Sequence, residues 1–121
     1  MFDDHSTQWI SPHKLLWSSF NQNAPCVIMG VPLDETTSFR PGTRFGPAAT
    51  REASMALEDF SLWQRRTLVA ENYYDAGDLV LPMGNVENAL GVIEVAAREI
   101  VHSGRKFMAI GGEHLITYPL V

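Results

Sequence analysis

Apolar side chains in this chain gather in short, nearly continuous runs and in one long stretch with helical period. Cys26-Val-Ile-Met-Gly-Val31 is apolar along its length and closes at Pro32, the pattern of a strand covered on both faces. Residues 72–75 read as a second strand ending in Ala76-Gly77-Asp78, which puts acidic residues at a strand's carboxyl end. Residues 106–110 read as a third strand, buried, that runs into Gly111-Gly112. Between the second and third, Asn85 stands as an N-cap before Val86, Ala89, Leu90, Ile93, Ala96, Ala97, Ile100 and Val101, which recur at helical spacing. Gly104 follows where a left-handed C-terminal cap belongs. Gly91 within this helix costs about 1 kcal/mol relative to alanine, so close packing is the expected reason for it.

A weaker helix opens at Gly46-Pro47, where proline at the first position presets the backbone; Ala49, Ala53, Ala56 and Leu57 form its expected apolar stripe. The segment between Leu33 and Phe45 is loop-like, with a turn at Pro41-Gly42, and a second turn falls at 81–84. Thr117-Tyr118-Pro119 reads as the start of another helix. Strand, helix, strand, helix, strand and helix start in that order predict an α/β fold with a parallel sheet wrapped by helices. The third strand is expected to leave one edge unpaired. Residues 1–25 are polar with scattered aromatics, Trp9, Trp17 and Phe20, and form an irregular or short helical arm whose aromatics are expected to pack on the body or on a neighbouring subunit. The α/β portion is 26–121.

Composition narrows the function. Nine basic against fourteen acidic residues give a net charge of -5, which disfavours an electrostatic nucleic-acid binder and suits an ordinary cytoplasmic protein. The amino terminus lacks a basic and apolar signal segment, and no run approaches membrane-spanning length, so no membrane association is expected. The one cysteine, Cys26, has no internal partner and reads as a buried, inert thiol.

Candidate chemistry sits at the carboxyl ends of the strands. Gly111-Gly-Glu-His114 delivers a carboxylate and an imidazole beyond a rigid strand; local chemistry leaves His114 open as metal ligand, base or structural residue. Asp75 and Asp78 offer carboxylates at the same edge, with helix capping or local backbone bonding as the plainer role. His5, His13 and His102 read as surface residues, and the tryptophans and methionines as packing. Arg40, Arg44 and Arg51 read as structural, tying a loop to carboxylates or to another subunit, while Asp34 and Glu35 suit a cationic ligand better or are simply solvated. No glycine-rich dinucleotide loop, phosphate-binding loop or nucleophile elbow occurs.

Four blocks together, Gly30-Val-Pro-Leu-Asp34, Arg40-Pro-Gly-Thr-Arg-Phe-Gly-Pro47 with Arg51, Asp75-Ala-Gly-Asp78 and Gly111-Gly-Glu-His114, resemble the amino-terminal portion of the ureohydrolases, the arginase and agmatinase family. The Glu113 and Leu115 variant is most similar to the agmatinase branch. The resemblance implies a three-layer α/β/α fold, represented here by its first three strands, and two Mn2+ ions at the sheet edge. It implies His114 as a metal ligand, Glu113 behind the ligands, and hydrolysis of a small cationic guanidino substrate, agmatine, to putrescine and urea by metal-activated water. The family's other ligands come from Asp-x-His-x-Asp and Asp-x-Asp blocks, which do not occur in these 121 residues. The expectation is therefore a truncated amino-terminal part, inactive alone, of an enzyme that is a trimer or hexamer when complete. The alternatives are another guanidino or formimino hydrolase of the family, or a non-catalytic shortened chain that assembles with complete subunits.

Overall fold

The computed structural model describes residues 7–10, 13–69 and 72–121. Its elements are β1 (Trp9–Ile10), β2 (Cys26–Val31), a 3-10 turn (Thr43–Phe45), α1 (Gly46–Ser54), β3 (Phe60–Ser61), β4 (Arg66–Thr67), β5 (Tyr73–Leu79), α2 (Val86–His102), β6 (Lys106–Gly111), a second 3-10 turn (His114–Ile116) and α3 (Thr117–Leu120). The main sheet has the order β1-β5-β2-β6, with β2 parallel to both β5 and β6 and β1 antiparallel to β5. The α/β fold class, the parallel core and the three long strands agree with expectation.

The central position of β2 explains its composition. From Val27 to Val31 every residue is buried, as a strand with neighbours on both edges and cover on both faces requires. Val27, Met29 and Val31 face α2 and form one core with Leu33, Leu79, Ala89, Ile93, Ala96, Ala97 and Ile100. Asn85 caps α2, its side chain accepting the Asn88 N–H at 3.0 Å. Gly104 takes the left-handed conformation expected, with φ 78°.

Several expectations are corrected. The arm contributes β1, where Trp9 pairs with Leu79 and packs on the core; Trp17 is half exposed and Phe20 fully exposed on this chain, so for these two the expected place on a neighbouring subunit stays open. The helix α1 buries Pro47, Arg51 and Ser54, while Ala49, Ala53, Ala56 and Leu57 face outward. Its inner face was chosen by an ion pair rather than by apolarity. Gly91 is exposed, and a methyl group there would meet nothing within 4 Å, so no close packing explains it. β6 is only half buried, with Met108 exposed, because it pairs with β2 alone and ends the sheet among the described residues. The small hairpin of β3 and β4 has no signal in the alternation of the sequence.

β5 carries the least expected feature. Its pairing with β2 slips by one residue: Asp75 lies opposite Ile28, Gly77 opposite Met29 and Asp78 opposite Gly30. A regular strand would send Asp75 and Asp78 to opposite faces; the extra residue brings both to the face covered by α1. Gly77, at φ 96°, supplies the backbone conformation that this bulge needs. Asp75 is accordingly inside the strand and fully buried, not at its carboxyl end.

Candidate functional site

The carboxyl ends of β2 and β6 lie side by side, with Val31 opposite Gly111. Beyond them, the chain of β6 turns through Gly112, at φ 64°, where a Cβ would crowd the Val31 carbonyl and stand 2.9 Å from the Leu33 nitrogen. Only glycine lets the two backbones approach this closely. The Gly112 N–H donates to the Thr43 carbonyl at 3.3 Å and the Glu113 N–H to the Leu33 carbonyl at 3.0 Å, so the hinge is stitched to the loop that follows β2.

Glu113 is buried, and His114, the next residue, is exposed at the start of the second 3-10 turn. The Glu113 carboxylate accepts from the Glu35 and Thr36 N–H groups, both at 2.9 Å, and from the Thr36 hydroxyl. His114 lines an open cleft of 730 Å³ together with Thr36, Phe39, Arg40 and Tyr118. An imidazole exposed at a rigid sheet edge, in an open cleft, is available to a metal ion or a substrate. A smaller cavity of 150 Å³ between Trp9, Val27, Tyr74 and Ile100 has, among the described residues, no histidine, cysteine or acidic side chain in its wall.

The other candidate acids are engaged elsewhere. Arg51, reaching down from α1, donates from Nε and Nη2 to Asp75 at 2.8 and 2.9 Å and from Nη1 to Asp78 at 2.5 Å. Asp75 also accepts the Leu15 N–H of the arm at 2.7 Å and the Gly77 N–H at 3.0 Å. Burial alone works to raise the Asp75 pKa, but the Arg51 hydrogen bonds, those from Leu15 and Gly77, and the Arg51 charge outweigh it and leave it below the ordinary value. Burial likewise works to lower the Arg51 pKa, and the two aspartates reverse that and raise it. Gly30 is part of the same arrangement, since a side chain there would collide with the Asp78 carboxylate.

Asp34 closes its own loop. Its Oδ2 accepts from the Gly42 N–H and from Arg44, each at 2.7 Å, and the bond from Gly42 is the main cause of a pKa lowered to about 2 against opposition from burial. Glu35 accepts the Gly84 N–H at 2.9 Å. Arg44 and Arg51 thus have the structural role expected of them, whereas Arg40 lies over the Phe39 ring at 5.1 Å on the wall of the cleft.

Among the described residues no three histidine, cysteine or acidic side chains cluster as a metal site would require. Among the described residues, His114 and Glu113 alone represent those residue types in the cleft, and Glu113 is occupied by the loop. One open nitrogen donor does not fit a two-ion centre, whose hard cations need several ligands each. The described residues supply at most one corner of such a centre. His13 and His102 are exposed and do not line the cleft, His5 lies outside the described residues, and Cys26 is half buried. The bulge at Gly77, which joins two carboxylates on one arginine, is the site feature that sequence reasoning missed; a glycine between two acids three residues apart was its only local signal.

A family model described as the arginase family matches residues 24–121. The agmatinase of Bacillus subtilis (strain 168) is 42% identical over 100 residues, which is 83% of this chain and 34% of that protein. The agmatinase of Bacillus anthracis is also 42% identical, over 99 residues, 82% of this chain and 34% of the relative. Among solved structures, the agmatine ureohydrolase of Thermoplasma volcanium superposes with a TM-score of 0.81 at 28% identity, over 92% of this chain and 38% of that one. A formiminoglutamase of Trypanosoma cruzi solved with Mn2+ gives a TM-score of 0.71 at 28% identity, over 86% and 36%. The chain spans about a third of the length of the curated relatives it matches, corresponding to their amino-terminal part.

Proposed function

This chain belongs to the arginase family, and from that premise we propose that it is the amino-terminal part of a Mn2+-dependent ureohydrolase that converts agmatine to putrescine and urea. The single observation that carries the reading is His114, an exposed imidazole held by a glycine hinge at the carboxyl edge of a parallel sheet and facing an open cleft. In this reading His114 donates one nitrogen to a metal, and the remaining ligands come from residues that these 121 positions do not contain. The relatives named agmatinase and the Mn2+-bound neighbour support the substrate and the ion. No metal-dependent step is assigned to this chain alone, and urea release by the 121-residue chain is expected to be absent. The complete protein is proposed to work in the cytoplasm as a trimer or hexamer; no helix among the described residues is long and apolar enough to cross a membrane.

Arg44 and Arg51 are each matched by carboxylates, so neither presents an uncompensated charge to a guanidinium group. A second reading rests on Arg40, whose guanidinium lines the cleft and would attract a guanidino or formimino acid through its carboxylate. Urea or formamide release, measured with Mn2+ on the full-length protein against agmatine and against ω-guanidino and formimino acids, separates the two. Turnover of agmatine that is abolished in His114→Ala together with bound Mn2+ is the expected result. Full Mn2+ content in His114→Ala would remove the ligand assignment, and no turnover of any of these substrates would leave the chain an assembly partner.

A further inference from the structure

Resting on the reading of His114 as a metal donor, we propose that Glu113 is a positioning residue that fixes the 34–42 loop as one wall of the cleft and is not itself a metal donor. Glu113 is only 7% exposed, and the hydrogen bonds its carboxylate accepts come from one short segment. Oε2 takes the N–H groups of Glu35 and Thr36, each at 2.9 Å, and Oε1 takes the Thr36 hydroxyl. The backbone of Glu113 is tied to the same region through Leu33, at 3.0 Å. Both its side chain and its main chain therefore face the loop.

The far end of that loop is closed separately, by Asp34 on Gly42 and Arg44. Between the two anchors, Thr36, Thr37, Phe39 and Arg40 line the cleft whose remaining wall includes His114 and Tyr118. The residue beside the imidazole thus sets where the facing wall stands. The arrangement depends on the reach of the side chain more than on its charge. A glutamine in its place would turn its oxygen to the two N–H groups and donate from its amide nitrogen to the Thr36 hydroxyl, which accepts as well as donates. An aspartate is one methylene too short to make the same bonds without moving the hinge.

The test is amide hydrogen exchange of the full-length protein, followed by mass spectrometry on the peptides that carry Glu35 and Thr36. Glu113→Ala is expected to speed exchange at both amides by about tenfold or more, as loss of hydrogen bonds to a charged group should. Glu113→Gln is expected to restore protection to within about threefold of the original. If the alanine variant does not fold, the glutamine variant still decides: protection lost in it, or unchanged exchange in a folded alanine variant, overturns the proposal. Mn2+ alone, titrated into the full-length protein, supplies the second arm: Glu113→Gln should keep affinity within about threefold while His114→Ala loses it by about tenfold or more. Equal losses in the two variants would make Glu113 a donor and overturn the proposal. Unchanged affinity in His114→Ala would instead defeat the reading of His114, while the exchange pattern would still report on the wall.

Discussion

Arg51 holds Asp75 through two parallel hydrogen bonds, Nε to Oδ2 at 2.8 Å and Nη2 to Oδ1 at 2.9 Å, with the Arg51 side chain 4% and the Asp75 side chain 0% exposed. Paired forks of this kind combine charge with fixed geometry. Here the pair joins α1 to β5, and the Leu15 N–H on the same carboxylate adds the arm. The pair thus fixes the inner face of α1 and the arm on the buried part of β5.

Removing one partner leaves a buried charge without compensation. Arg51→Ala should lower the unfolding free energy by about 3–5 kcal/mol, read from the midpoint of urea denaturation. Replacing Arg51 and Asp75 together with apolar residues of similar volume should cost less than the single change. A single substitution within about 0.5 kcal/mol of the original would show that the pair contributes nothing to the fold.

The same carboxylate makes stability acid-dependent. A pKa lower in the folded state means that the unfolded chain binds the proton more readily, so the stabilisation is complete above the unfolded value and is lost as pH falls through the folded one. Asp34 acts in the same sense, its window running from 3.8 down to about 2. Denaturation midpoints should therefore be flat above this region and decline through it, and Asp75→Asn should reduce the slope. A midpoint that rises on acidification would contradict the assignment of both groups.

Gly91 offers the opposite sign. Because the position is exposed and a methyl group would touch nothing, Gly91→Ala should stabilise α2 by about 0.5–1 kcal/mol. Differential scanning calorimetry of the two proteins measures this as a higher melting temperature in the variant. A lower one would mean that the position packs against something after all.

Gly112→Ala should destabilise the chain by about 1–3 kcal/mol, since its positive φ and the approach of Leu33 leave no room for a side chain. The loss should appear with faster amide exchange at Glu113, whose N–H bond to Leu33 spans the hinge. Stability and exchange equal to those of the original would remove the argument that glycine is required there.

Much of this was legible in the residues. The apolar run of β2, the helical period and Asn85 cap of α2, and the glycines before Glu113 are local signals, and each produced the element or turn expected. The four motif blocks identified the family, and the arginines at 44 and 51 were rightly read as partners of carboxylates. The apolar stripe of α1 misled because Arg51, an apparently outward residue, binds two acids and turns that face of the helix inward.

What sequence alone determined, then, is the set of elements, their order and the family motifs, because periodicity, capping and turn chemistry act over a few residues. The tertiary structure decided which atoms those motifs bring together. Asp75 and Asp78 share Arg51 across 24 and 27 positions only because a bulge moves both to one face. Glu113 reaches Thr36 across 77 positions only because β6 lies beside β2. Contacts of that span follow from register and crossover, which are fixed by the packing of the whole sheet and leave no mark in the local pattern.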